Sequence, residues 1–129
     1  MPYYIGVDLG GTNIKGGVVD EQFTICTQHS VPTHSDRDPD HVICQIADLA
    51  LELADQANLS MTEIAAVGIG APGPLDFEAG VIRAAPNMPK WKNYPIRDRV
   101  AEVTGKRTIL ENDGNAAAFG EFCAGAGRD

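Results

Sequence analysis

Basic tracts, cysteine pairs and long apolar runs are all missing from this chain, and each absence removes a class of function. Its 10 Lys and Arg stand against 18 Asp and Glu, a formal net charge of -8. A chain this acidic has no electrostatic attraction to nucleic acid or to an anionic membrane, so neither is expected as a partner. Cys26, Cys44 and Cys123 are odd in number and far apart, with no Cys-x-x-Cys pair. That spacing argues against a disulfide framework or a zinc site made from this chain alone, and leaves reduced, buried thiols in a cytoplasmic protein as the expectation. No apolar run approaches the ~18 residues of a membrane span, and no basic stretch with an apolar run behind it opens the chain. What is present is a globular composition, rich in Gly and Ala, at a length suited to one domain with an ordinary core.

Along the chain, Tyr3-Tyr4-Ile5-Gly6-Val7-Asp8-Leu9 reads as a largely buried strand. Gly10-Gly11-Thr12-Asn13 turns it, and residues 14–20 return as a second strand to give a hairpin. A turn at Asp20-Glu21-Gln22 leads to a third strand over 23–31, and the polar stretch 32–38 is a loop. Asp38-Pro39 has the form of an N-cap with proline at the first helical position. Behind it Val42, Ile43, Ile46, Ala47, Ala50, Leu53, Ala54 and Ala57 recur at helical spacing. Asp40, Gln45, Asp48, Glu52, Asp55 and Gln56 face away from that stripe, and Asn58 or Ser60 ends the helix. Residues 64–69 form a short apolar strand that stops at Gly70-Ala71-Pro72-Gly73-Pro74. Residues 81–84 are a short extended piece, 86–93 are irregular around Trp91, and 95–104 make a helix closed by Gly105. A last strand covers 108–110, and the Ala-rich segment 112–124 is a helix.

A three-strand meander followed by alternating helices and strands predicts one α/β domain over 1–129, a mixed sheet of about five strands with flanking helices. In such sheets ligands gather outside the carboxyl ends of the strands. The segments 10–13, 70–74 and 111–115 are all strand exits, so they are expected to converge on one rim.

At the first exit, Gly10 and Gly11 allow phosphate oxygens close to their backbone N–H groups, and Thr12 and Asn13 add a hydroxyl and an amide. Asp8 is placed to hold a magnesium ion through water, since magnesium keeps much of its hydration. The same glycines also suit a plain tight hairpin, and the spacing is not that of a P-loop. Lys15 reads as a solvated charge.

At the last exit, Glu111-Asn112-Asp113-Gly114-Asn115 sets a carboxylate between two amides. A sugar hydroxyl is a poor nucleophile, and a carboxylate within reach can take its proton as a phosphoryl group is transferred. Asp113 is the candidate base and Asn112 the amide gripping neighbouring hydroxyls; alternatively one of them caps the helix. The 70–74 loop can close over a ligand or be an ordinary turn. Asn87 suits the polar edge of a sugar, whereas Trp91 reads as a packing residue. His29, His34 and His41 lack ligand spacing and receive no role.

In order, Asp8-Leu9-Gly10-Gly11-Thr12, Gly70-Ala71-Pro72-Gly73-Pro74, Asn87…Trp91 and Glu111-Asn112-Asp113-Gly114-Asn115-Ala116-Ala117-Ala118…Gly120-Glu121 resemble the ROK family. That family groups repressors, open reading frames and sugar kinases, and the likeness is closest to its bacterial glucokinases. The resemblance implies a ribonuclease H-like, actin-type ATPase lobe and ATP-dependent phosphorylation of glucose or a related hexose at its 6-hydroxyl. It implies Asp113 as base, Asn112 as sugar ligand, Asn87 and Gly73 near the sugar, and Asp8, Gly10, Gly11 and Thr12 facing phosphates and Mg2+. Gly114 stands where many family glucokinases have alanine. Family kinases continue into a second lobe carrying the adenosine pocket, a Glu-x-x-His pair and a structural zinc motif. This chain is therefore expected to be an N-terminal lobe, inactive alone, with Zn2+ and most homodimer contacts belonging to the C-terminal lobe. An N-acetylmannosamine or N-acetylglucosamine kinase also fits. So does a sugar-sensing repressor lobe, although a first strand at Tyr3 leaves no room for a preceding helix-turn-helix.

Overall fold

A central strand with neighbours on both sides must be apolar on both faces, and Tyr3–Leu9 meets that condition. In the structure, a computed structural model, it is β1 and sits third in a five-stranded sheet. Residues 2–22, 24–72, 74–85 and 90–112 are described, Glu111 and Asn112 by their backbone only. β2 (Asn13–Asp20) returns antiparallel to β1, and β3 (Ile25–Pro32) pairs antiparallel with β2 at the sheet edge. β4 (Ile64–Ala71) lies parallel to β1 on its other side, and β7 (Arg107–Asn112) lies parallel to β4. Between them, β5 (Leu75–Asp76) and β6 (Val81–Ile82) form a small separate hairpin. The sheet order is β3-β2-β1-β4-β7, the mixed five-stranded sheet expected from the sequence.

α1 (Pro39–Gln56) starts as expected, with the Asp38 carboxylate accepting from the His41 N–H at 2.9 Å. It ends at Asn58, whose φ of 60° turns the chain so that Leu59 N–H reaches the Ala54 carbonyl at 2.8 Å. α2 (Ile96–Thr104) closes on Gly105, whose φ is 69°. The buried face of α1 adds Leu49 to the anticipated stripe and meets Ile5, Val7, Leu9, Ile14 and Val18 of the sheet. Tyr4, Val19 and Ala66 make a second buried cluster. Trp91 is fully buried as a packing residue, edge-on to Tyr94 with ring centroids 5.0 Å apart.

Several expectations need correction. Cys26 and Cys44 are exposed, not buried: Cys26 lies on edge strand β3 and Cys44 on the outward side of α1, while Cys123 is outside the described residues. β4 runs on through Gly70 and Ala71, and β7 runs from Arg107 to Asn112, because these ends pair with each other. Asn112 therefore closes a strand, and the helix expected over 112–124 otherwise lies outside the described residues. The third strand is shifted to Ile25–Pro32.

Candidate active site

Parallel pairing brings the carboxyl ends of β1, β4 and β7 to one edge of the sheet. Asp8 stands opposite Gly70, Gly70 opposite Glu111, and Ala71 opposite Asn112. With neighbouring strands ~4.8 Å apart, the ends of β1 and β7 are roughly 10 Å from each other, with the exit of β4 between them. The backbone thus brings the three strand ends to one rim; residues 73 and 113–115 of the expected exits lie outside the described residues.

The Gly-rich turn leaves β1 at this edge. Gly10 N–H donates to the Asn13 carbonyl at 3.0 Å, and a Cβ on Gly10 would sit 2.9 Å from that same oxygen. Glycine is required here by space: the oxygen that closes the turn occupies the side-chain position. Thr12 and Asn13 are exposed, and Gly10 and Gly11 half-buried. Asp8 is half-buried, stands opposite Lys15 on β2, and lines a cavity of about 330 Å3 with Lys15, Gln28 and Ser30. Lys15 is exposed, as a solvated charge should be.

A strap over 33–36, read from sequence only as loop, proves to be the turn's main support. Thr33 N–H donates to the Thr12 carbonyl at 2.9 Å. The Thr33 hydroxyl donates to the Gly10 carbonyl at 2.8 Å, and the Ser35 hydroxyl to the Gly11 carbonyl at 2.6 Å. α1 holds the strap from the other side. Its Gln45 accepts from His34 N–H and donates to the Pro32 carbonyl, each at 3.0 Å. The rings of His34 and His41 stack, with Nδ1 of one 2.8 Å from Nε2 of the other. Lys90 Nζ adds a bond to the Asp36 carbonyl at 3.0 Å. The available signal was a Thr-x-Ser pair just past a strand, facing a helix that offers His41 and Gln45 four residues apart. Histidines that had no role on spacing are partners in space.

Beyond the exit of β4, Asp76 fixes the small hairpin. Its carboxylate accepts from the Ala79 N–H at 3.0 Å and from the Arg83 guanidinium at 2.8 Å, and the two hold its pKa below the ordinary carboxylate value. Across the lobe the Tyr94 hydroxyl donates to Asp40 at 2.5 Å; burial, and then that carboxylate, push the phenol's pKa well up.

Asp113, Asn87 and Gly73 lie outside the described residues, and Asn112 is placed by its backbone alone. Among the described residues no three His, Cys, Asp or Glu gather to hold a metal. Magnesium bound with a nucleotide asks for less, one or two carboxylates beside the phosphates. Asp8 next to the turn fits that requirement. No helix among the described residues is long and apolar enough to cross a membrane.

Solved structures of the same shape define the class. The chain superposes on a ROK hexokinase from Thermus thermophilus with a TM-score of 0.79 and 40% identity, over 90% of this chain and 37% of that one. It superposes on a ROK family glucokinase from Streptomyces griseus, crystallised with glucose and AMPPNP, with a TM-score of 0.76 and 38% identity, over 97% and 38%. The fold is thus the actin-like ATPase lobe found in ROK sugar kinases. Residues 4–129 match the ROK family, and the chain belongs to it. A glucokinase from Thermotoga maritima is 44% identical over 124 residues, 96% of this chain and 38% of that enzyme. The chain therefore spans about two fifths of the length of the curated glucokinases it matches.

Proposed function

We propose that this chain is the N-terminal, phosphate- and sugar-binding lobe of an ATP-dependent glucokinase. The observation that carries this is the placement of the Gly10–Asn13 turn and of Asn112 at the ends of β1 and β7, on one edge and separated by a single strand. A gap of roughly 10 Å suits a sugar at one side and a terminal phosphate at the other.

In this reading the turn's N–H groups and the Thr12 and Asn13 side chains receive the phosphates of ATP. Asp8 would hold Mg2+, which would supply neutralisation of phosphate charge. Asn112, Asn87 and the backbone at Gly73 grip the sugar hydroxyls. Asp113 takes the proton of the 6-hydroxyl as its oxygen bonds to the γ-phosphorus and the bond to the leaving ADP breaks. Most of the acceleration comes from alignment and charge neutralisation, with the base adding ~10²–10⁴-fold. In the intact protein, assembled as a homodimer, glucose is the expected acceptor ahead of N-acetylated hexosamines.

The test is Asp113→Asn in the intact protein, assayed by coupled glucose 6-phosphate formation across a hexose panel. We expect kcat to drop by about 10²–10⁴-fold with the KM for glucose little changed. A variant that retains wild-type kcat removes Asp113 as base. A wild type that prefers N-acetylmannosamine or N-acetylglucosamine replaces glucose as the substrate.

A further inference from the structure

We propose that Thr33 and Ser35 are positioning residues that set the Gly-rich turn for phosphate by orienting three consecutive peptide planes. The inference deepens the kinase reading and rests on it.

A trans peptide is planar, so its C=O and its N–H point in opposite directions. Strap donors take the carbonyls of Gly10, Gly11 and Thr12: the Thr33 hydroxyl, the Ser35 hydroxyl and the Thr33 N–H, in that order. Each fixed carbonyl sends the N–H of the next residue away from the strap. Gly11, Thr12 and Asn13 therefore present their N–H groups together on the opposite side. Successive N–H groups aimed one way form a concave anion site. Such a site is most effective when its dipoles are fixed before the ligand arrives, leaving little reorganisation to the moment of binding.

Glycine makes the support necessary. Without Cβ atoms, Gly10 and Gly11 leave their peptide planes free to rotate. A plane turned over would aim a carbonyl oxygen at the phosphate in place of an N–H, so one lost donor becomes a repulsive contact. The hydroxyls prevent this because they are anchored outside the turn, on a strap that Gln45, His41 and Lys90 hold from two other segments. Both hydroxyl bonds are partly buried, so water competes poorly for those carbonyls.

The experiment uses the intact protein with Thr33→Val, Ser35→Ala, the double variant, and Thr33→Ser as the conservative control. AMPPNP affinity is measured by calorimetry, and KM is measured separately for ATP and for hexose. A neutral hydrogen bond is worth about 0.5–1.5 kcal/mol, so each single variant should bind AMPPNP ~3–10-fold more weakly and the double variant ~20–50-fold. Hexose KM should stay within about 2-fold, and Thr33→Ser should bind as wild type. Amide NMR resonances of Gly11, Thr12 and Asn13 should shift in the ligand-free double variant. Unchanged AMPPNP affinity in the double variant overturns the proposal while leaving the kinase reading intact. Equal losses for nucleotide and hexose, with a lowered Tm, reduce the strap to a stabilising contact and also overturn it. A wild type that binds no AMPPNP overturns both.

Discussion

Gly16 is a point where β2 and α1 meet with no room between them. A Cβ there would lie 2.8 Å from a Leu53 methyl, 3.2 Å from a Leu49 methyl and 3.3 Å from the Gly6 carbonyl. The leucines can yield, but the carbonyl belongs to β1 at the centre of the sheet. Gly16→Ala should therefore destabilise the fold by about 1–3 kcal/mol through overpacking, seen as a lower urea midpoint at unchanged slope. A variant as stable as wild type would show that α1 can lift from the sheet. From sequence, a glycine inside a strand announces a close approach but not the neighbour. The histidines illustrate the same limit, since a helix position and a loop position seven residues apart become partners only when the strap folds back. Cys26 and Cys44 misled for a related reason: residue type favours burial, but an edge strand and an outward helix face overrule it.

Elements were legible in proportion to their length and their caps. α1 carries a full apolar stripe, an Asp-Pro start and an Asn stop, each readable locally. β5 and β6 are two residues each, too short for any periodicity, and their hairpin is held instead by Asp76. This element should be sensitive to acid. Because the folded-state pKa of Asp76 is lowered from 3.8, its contribution is present above that value and is lost as pH falls through the depressed one. The Ala79 amide resonance should titrate with a midpoint below 3.8, and Asp76→Asn should abolish the transition. A midpoint at or above 3.8 would mean that the Ala79 and Arg83 bonds do not hold in solution. The Tyr94–Asp40 bond links this region to α1 and has the opposite sign. A phenol with a raised pKa stabilises fully below its ordinary 10.0, and that share declines as pH climbs from there toward the folded value. Tyr94→Phe should flatten the alkaline fall in stability measured by urea unfolding as pH rises above 10.0.

At the scale of the molecule, a meander followed by alternation was enough to read an α/β lobe, since each step obeys a local pattern. The order β3-β2-β1-β4-β7 was not written in any one segment, because parallel neighbours are chosen by crossovers that pack α1 and α2 against the sheet. Of the expected site, the turn at 10–13, Asp8 and the backbone of Asn112 reach the predicted rim. The rim they build is one wall. Phosphoryl transfer depends on two substrates held in line and shielded from water, and charge stabilisation weakens sharply where water competes. This chain corresponds to 38% of the Thermotoga maritima glucokinase, so most of the residues that could oppose the wall in such an enzyme are not among its own. The 129 residues alone should therefore form no glucose 6-phosphate above the uncatalysed background in a coupled assay at saturating ATP and glucose. If, as proposed, a second lobe completes the enzyme, the same assay on a protein carrying both lobes should show turnover, and Asp113→Asn should bring that turnover down. Sustained catalysis by the 129 residues alone would mean that one wall suffices, and that alignment comes from the 10–13 turn and its strap with no second lobe closing over them.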